Sequence, residues 1–352
     1  MILTYKIRHH VDFTPELEKA KKIAEFAIKN KIFSSSSVKH LGLKSMISNQ
    51  ILRKYGKDKK AKKVSSVNLI IPNQGIKTKG KEIFIPCLKL HLVLDKDYQK
   101  INQVELNTEY AFVSITVLEN PVMQPLQWLG VDLNATGHCA VIANETTGKV
   151  LKLSKKANHI HLKYKNSRKK LQKQSRYKQV KKIKNRESRI VRDLNHKISR
   201  RIVDEAVKNR AGIVLEDLKG IRKTKKQAKS FKYSLNSWSF FQLKQFLEYK
   251  AKLLGIPVVK IDPRYTSQQC GRCGLLGERT GKKFKCSCGN VEHADVNAAF
   301  VIAKRHTGMI HLPTERDVGK GSTDTPGETT EQKASDLKIF SKYVPENVCQ
   351  CV

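Results

Sequence analysis

Acidic residues are scarce: 31 Asp plus Glu stand against 69 Lys plus Arg, a formal charge of +38. An excess of that size goes beyond what solubility requires and points to a polyanionic partner. Long apolar runs are missing too. No stretch reaches the roughly 18 apolar residues of a membrane span, and no basic amphipathic helix carries a broad Trp/Phe face suited to a lipid surface. Nucleic acid is therefore the expected polyanion, and no membrane partner is expected. The opening MILTYKIRHHVDF alternates like a strand and lacks the apolar core and small-residue cleavage site of a signal peptide, which predicts a reducing, cytoplasmic setting. The eight cysteines fit that setting because four of them cluster at metal-ligand spacing. A 352-residue chain with 39 % hydrophobic residues can build real cores in about two domains.

The N-terminal third mixes helices and strands. Thr14-Pro15-Glu16 supplies a capping hydroxyl, a proline for the first turn and an acid near the positive helix end, predicting a helix to about Asn30. A second helix is predicted from about Ser45 to Tyr55, with Ile47, Ile51, Leu52 and Tyr55 on one side and a turn at Gly42 before it. The pair could imitate a helix-turn-helix or form a small helical subdomain that buries one face. Strand-like runs follow in SVNLIIP, EIFIPCLKLHLVL and EYAFVSITVL, so residues up to Pro125 form a small β-rich unit.

From Trp128 the pattern becomes regular. LGVDLN, HCAVIAN and VLKLS alternate and are separated by the turns NATG and NETTGK, predicting an antiparallel meander. One long helix follows, with an apolar stripe of Ile183, Ile190, Leu194, Ile198, Ile202 and Ala206. Then come the strand GIVLEDL, a helix from about Ser237 to Leu254 stopped by Gly255 and Pro257, and the strand PVVKID. The order β-β-β-α-β-α-β is that of an α/β RNase H-like domain. Residues 312–352, rich in Gly, Ser, Thr and Pro without periodicity, read as a disordered tail with incidental thiols in its CQC ending.

Three carboxylates fall on ordered elements. Asp132 sits near the end of the first strand of the meander, on the face of Trp128 and Gly130 and opposite Leu129, Val131 and Leu133. Glu216 ends the apolar run Ile213-Val214-Leu215, where a charge needs water or a cation. Its neighbour Asp217 is turned to the other face by strand alternation. Asp295 opens the last helix, HADVNAAFVIAKRH, whose Ala298 and Ala299 permit close packing on a sheet. Taken singly, each acid reads as a solvated element end. Together they would repel by about 1 to 4 kcal/mol per pair at about 4 Å, which argues for bound cations. Two Mg²⁺ ions there could activate water and stabilise the leaving oxygen of a phosphodiester.

Cys270 and Cys273 form a CxxC knuckle, and after twelve intervening residues Cys286 with Cys288 close the set, before Gly289. Four thiolates suit one tetrahedral Zn²⁺, and the loop between them is too short and polar to order itself. The second pair is CxC, tighter than usual, so His293 is an alternative fourth ligand. A closed four-ligand site is structural, with no position for substrate. Residues 163–192 carry 14 Lys or Arg and one acid, Glu187. Such runs are often solvated faces. Here the density favours phosphate binding, with Lys169, Lys170, Lys173, Arg176, Lys181 and Lys182 as candidates, and few Asn or Gln are placed to read bases.

GVDLN, DLNHKISRRIV, GIVLEDLKGIR, YTSQQCGRCG, FKCSCGN and HADVNAA, in this order, resemble the transposon-encoded TnpB family, compact relatives of the type V CRISPR effectors. The motifs cover residues 126 to 306 strongly and the N-terminal third only in layout. The resemblance implies an RNA-guided DNA endonuclease in a prokaryotic, nucleoid-associated setting, with a guide RNA and double-stranded target DNA as partners. It implies a RuvC-type site at Asp132, Glu216 and Asp295 with Mg²⁺, and a zinc ribbon at Cys270, Cys273, Cys286 and Cys288. The expected domains are a wedge-like barrel over 1–125 with a helical recognition insertion at about 14–62, and a nuclease domain over 126–311 with the ribbon at about 266–292. Guide pairing would read sequence while the protein binds backbone and a short flanking motif. A guided repressor without cutting, a strand-transferring transposase and a zinc-ribbon RNA-binding protein are the competing readings. The last leaves the three acids without a purpose.

Overall fold

A computed structural model of the chain describes residues 1–58, 61–218 and 239–313. The chain divides into two compact units, Met1–Glu119 and Asn120–Val352. Among the described residues no helix is long and apolar enough to cross a membrane.

The first unit opens with β1 (Ile2–Arg8) and α1 (Thr14–Asn30), followed by α2 (Ser45–Gly56). Asp12 fixes the start of α1, accepting from the backbone N–H of Thr14 at 2.9 Å and from its hydroxyl at 2.6 Å. Six strands follow: β2 (Leu69–Pro72), β3 (Lys77–Lys79), β4 (Glu82–Ile85), β5 (Leu90–Val93), β6 (Lys100–Leu106) and β7 (Tyr110–Thr116). They pair as a four-stranded antiparallel sheet in the order β1-β7-β6-β2 and a three-stranded sheet β3-β4-β5. Ile23, Ala24 and Ala27 of α1 and Ile47, Ile51 and Leu52 of α2 share one core with the inward residues of both sheets. Two strand expectations change. EIFIPCLKLHLVL is broken by a 3₁₀ turn at Pro86–Leu88, because proline has no N–H to donate and Lys89 takes a left-handed φ of 50°. β6 is an additional strand whose sequence does not alternate, because a bulge between Ile101 and Gln103 interrupts its period.

The second unit is built on a five-stranded sheet. β8 (Gln127–Leu133), β9 (Ala140–Asn144) and β10 (Val150–Leu153) form the antiparallel meander. Next come α3 (Lys156–Lys173), α4 (Tyr177–Lys208), β11 (Ala211–Glu216), α5 (Phe240–Leu253) and β12 (Val258–Ile261). β11 lies parallel to both β8 and β12, giving the order β10-β9-β8-β11-β12. A small antiparallel sheet of β13 (Glu278–Thr280), β14 (Lys283–Lys285) and β15 (Val291–His293) then leads into α6 (Ala294–His306).

The single long helix expected after the meander is a hairpin of two. Ser175 takes a left-handed φ of 53° between them, and α3 folds back so that its His161 and Arg168 both reach Glu187 of α4. No glycine or proline marks this break. The apolar stripe shifts accordingly: Ile190 is 37 % exposed, while Val191, Asn195, Ile198, Ile202, Val203 and Ala206 are buried. The predicted start of α5 at Ser237, and the tail from residue 314, lie outside the described residues.

Leu129, Val131, Leu133, Ile213 and Leu215 pack on α4 and α5. The opposite sheet face, with Val141, Ala143 and Val150, takes Val296, Ala299 and Phe300 of α6. Contact is closest at Gly130, where a Cβ would lie 2.0 Å from the Ala299 carbonyl oxygen and 2.7 Å from the Ala303 nitrogen. These are backbone atoms of a buried helix, so no side chain can swing aside to make room. Gly130→Ala is expected to push α6 off β8 and to lower the unfolding free energy by about 3 kcal/mol, read by denaturant melts of the full chain. A loss below about 0.5 kcal/mol would contradict this packing.

Candidate functional site

The sheet itself sets two of the three acids side by side. β8 and β11 run parallel with Val131 level with Leu215, so the next residue on each strand, Asp132 and Glu216, emerges on the same face at neighbouring strand ends. That face is the one covered by α6, whose first turn carries Asp295. Asp132 and Asp295 are buried, and Glu216 is half-buried. Burial pushes the Asp132 carboxyl well above the usual carboxylate range, and the negative charges of Glu216 and Asp295 raise it further. Asn134 Nδ2 opposes this by donating to Asp132 Oδ2 at 2.9 Å. Burial raises Glu216 as well, countered by the Thr266 hydroxyl that donates to it and by the charges of Arg305 and Arg279. Asp217, by contrast, meets Lys244 of α5 at 3.3 Å on the other side of the sheet.

Such a group gains by taking up a proton or a cation. Carboxylates gathered at one place and largely withdrawn from water supply hard oxygen donors, the chemistry that suits Mg²⁺. Two basic residues already answer part of this charge, and the sequence alone singles out neither. Lys282 Nζ donates to Asp295 Oδ1 at 2.8 Å and Oδ2 at 2.7 Å, and Arg279 lies 3.5 Å from Oδ1. Both come from the β13–β14 hairpin, hidden in a segment so rich in lysine that no single one stands out.

The hairpin belongs to the cysteine cluster. The sulfurs of Cys270, Cys273, Cys286 and Cys288 all lie within 4.8 Å of one another, with Cys270 and Cys288 3.7 Å apart and Cys273 and Cys286 3.5 Å apart. The tight CxC closes because Gly289 takes a left-handed φ of 81° and its N–H returns to the Cys286 carbonyl at 3.0 Å. Hydrogen bonds from the Cys273 thiol, from the backbone N–H groups of Cys273 and Arg272, and from Asn290 favour the Cys270 thiolate. The cluster could hold a metal such as zinc with four sulfurs and no further ligand. His293, the alternative ligand, is engaged elsewhere, since its Nδ1 accepts the Asp295 N–H at 3.3 Å and caps α6.

The first knuckle is fastened to α6. Asn297, buried on that helix, accepts from the Gly271 N–H at 2.8 Å and donates to the Gln269 carbonyl at 2.6 Å. Lys304 Nζ donates to the Gly271 carbonyl at 2.6 Å. A single helix therefore carries Asp295 at its start and the cysteine knuckle along its flank.

Lys169, Lys170 and Lys173 on α3, Arg176 at the turn, and Lys181 and Lys182 on α4 are all exposed. The one acid of the segment, Glu187, is buried and bonded to His161 Nδ1 at 2.8 Å and to Arg168. Its charge is answered inside the hairpin, so within residues 163–192 no carboxylate offsets the outward cations.

A family described as Cas12f1-like, TNB domain matches residues 240–302. A TnpB-like protein of Methanocaldococcus jannaschii is 36 % identical over 190 residues, covering 50 % of this chain and 68 % of the relative. One from Aquifex aeolicus is 28 % identical over 252 residues, covering 60 % and 80 %. The CRISPR-associated endodeoxyribonuclease Cas12f1 of Sulfoacidibacillus thermotolerans is 45 % identical over 114 residues, 31 % of this chain but only 26 % of that protein. Among solved structures, a Cas12f1–sgRNA–target DNA complex matches with a TM-score of 0.45 at 20 % identity, covering 87 % of this chain and 100 % of that chain.

The purified protein is expected to hold about one Zn²⁺ per chain, and Cys270→Ser to lose it, as measured by elemental analysis after exhaustive dialysis. Soluble protein whose four cysteines all react freely with a thiol reagent and which contains no zinc would overturn this expectation.

Proposed function

Because this chain belongs to the TnpB-like protein family, we propose that it is a transposon-encoded, RNA-guided DNA endonuclease with a RuvC-type site at Asp132, Glu216 and Asp295. The observation that carries the reading is the convergence of these three acids at adjacent strand ends and one helix start on a single sheet face. The order of three antiparallel and two parallel strands supports an RNase H-like nuclease domain. The first unit, a β scaffold with α1 and α2 inserted, supports a wedge role with helical recognition.

Asp132, Glu216 and Asp295 would hold two Mg²⁺ ions, which when bound supply an activated water and stabilisation of the leaving oxygen. The chain's own residues prepare that site. Asn134 and Thr266 each hold one carboxylate oxygen, of Asp132 and Glu216 respectively, and so fix how the two side chains are turned. The α3–α4 hairpin binds phosphates without reading bases, so sequence is set by pairing between guide RNA and target DNA. Zn²⁺ in the four-cysteine site is structural and keeps the β13–β14 hairpin beside Asp295. Guided binding without cutting is the second reading; it is disfavoured because all three acids are retained and converge.

Replacing Lys169, Lys170, Lys173 and Arg176 with Glu is expected to weaken nucleic-acid binding on every sequence. The salt dependence should flatten by about 0.7 to 0.9 in log–log slope per lost phosphate contact, measured by binding titrations at several ionic strengths. Unchanged slope and affinity would make the hairpin a solvated face. Asp132→Asn is expected to abolish plasmid cleavage in Mg²⁺ while guide-dependent DNA binding persists. Cleavage at the parental rate would remove Asp132 from the active site, and sequencing the RNA that copurifies with the protein identifies the guide for this assay.

A further inference from the structure

Lys282 makes more contacts than a surface ion pair would require. Its ammonium touches both oxygens of Asp295, at 2.8 and 2.7 Å, and lies 3.3 Å from the Thr136 carbonyl in the loop after β8. Three donors on one nitrogen thus meet three acceptors. The Asp295 side chain is 1 % exposed, whereas that of Lys282 is 38 % exposed, so the lysine reaches in from solvent and has an open route back. Gly137, at a left-handed φ of 78°, lies beside the lysine, and a Cβ there would be in van der Waals contact with Lys282 Cε at 3.4 Å. The hairpin turn at Gly281 takes a left-handed φ of 62° and faces open space, with nothing within 4 Å of an added Cβ. The charge of Lys282 is also felt at Asp132, the partner acid on β8.

Both Asp295 oxygens engaged by the lysine are those a divalent ion would need. We propose that Lys282 is a tethered cation that competes with the divalent metal for Asp295, so that metal loading and the position of the β13–β14 hairpin are linked. This inference rests on the assignment of Asp132, Glu216 and Asp295 as a metal-binding set. An ammonium held on Asp295 lowers the negative potential that gathers a divalent ion, and by linkage an ion that binds there favours withdrawal of the lysine to the same extent. Lys282 is a positioning residue. The hairpin, ordered by the cysteine cluster, sets how much metal the acids accept.

The test counts metal directly, without guide or target. Mn²⁺ binding to the full-length protein, followed by the loss of free Mn²⁺ electron paramagnetic resonance signal, is compared for the parent, Lys282→Met, Lys282→Arg and Asp132→Asn. Lys282→Met keeps the aliphatic stem and removes the charge, so Mn²⁺ should bind about tenfold more tightly, the effect of one nearby unit charge at surface-like dielectric. Lys282→Arg should stay within about twofold of the parent. In chelator the Lys282→Met protein should melt earlier than the parent, because buried Asp295 has lost the nearer of its two basic partners and keeps only Arg279. Affinity that is unchanged or weaker in Lys282→Met, with binding still abolished by Asp132→Asn, would overturn the competition and leave the metal site standing. Absence of Mn²⁺ binding in the parent and all variants would overturn the metal-site reading together with this inference.

Discussion

The close approach of α6 to β8 governs the arrangement of the second unit. Gly130 lets the helix backbone rest against the strand, and Ala299 and Ala303 complete the contact from the other side. This contact places Asp295 over the strand that carries Asp132. The same helix presents Asn297 and Lys304 to the first cysteine knuckle, so the depth at which α6 sits fixes two centres together. A helix displaced by one methyl group would move an acid and the cysteine cluster in concert. Protein interiors transmit such shifts because they are packed as densely as crystals.

The acids work against the stability of the unit that holds them. Burial and mutual repulsion raise the proton affinity of Asp132 and burial raises that of Glu216, so the charged forms are disfavoured in the folded chain. Asn134, Thr266, Arg279 and Lys282 offset that cost from separate positions around the three carboxylates. Perturbed groups of this kind cluster where chemistry is done. The Glu187 cluster resembles the site in form, with a buried acid and two basic partners, yet differs in consequence: it contains one acid, fully partnered, and ties two helices together.

Much of the site could be read from the residues because its chemistry is local. The run Ile213-Val214-Leu215-Glu216 announces a buried strand with a charged end, and the CxxC and CxC pairs mark one ligand cluster by spacing alone. What escaped depends on three-dimensional encounter. Nothing in the spacing of Lys282 reveals that it, and not one of its neighbours, meets Asp295, since the choice is made by how the β13–β14 hairpin docks on α6. The turn at Ser175 escaped because its conformation is stabilised by the Glu187 contacts across the hairpin instead of by a local breaker. β6 escaped because a bulge scrambles period-two alternation, the feature by which a half-buried strand is recognised.

The partnered position of Glu187 has a consequence for how the basic hairpin responds to its surroundings. α3 buries no residue fully, so apolar packing contributes little to holding it against α4, and its dense cations repel one another. Added salt screens that repulsion and firms the hairpin, while the same salt would loosen the proposed hold on phosphate. Two opposite responses to ionic strength thus reside in one element. A bound polyanion would relieve the repulsion more completely than any simple salt, so on the proposed reading the hairpin would be most firmly folded with nucleic acid along it, and its binding surface would be finished by what it binds.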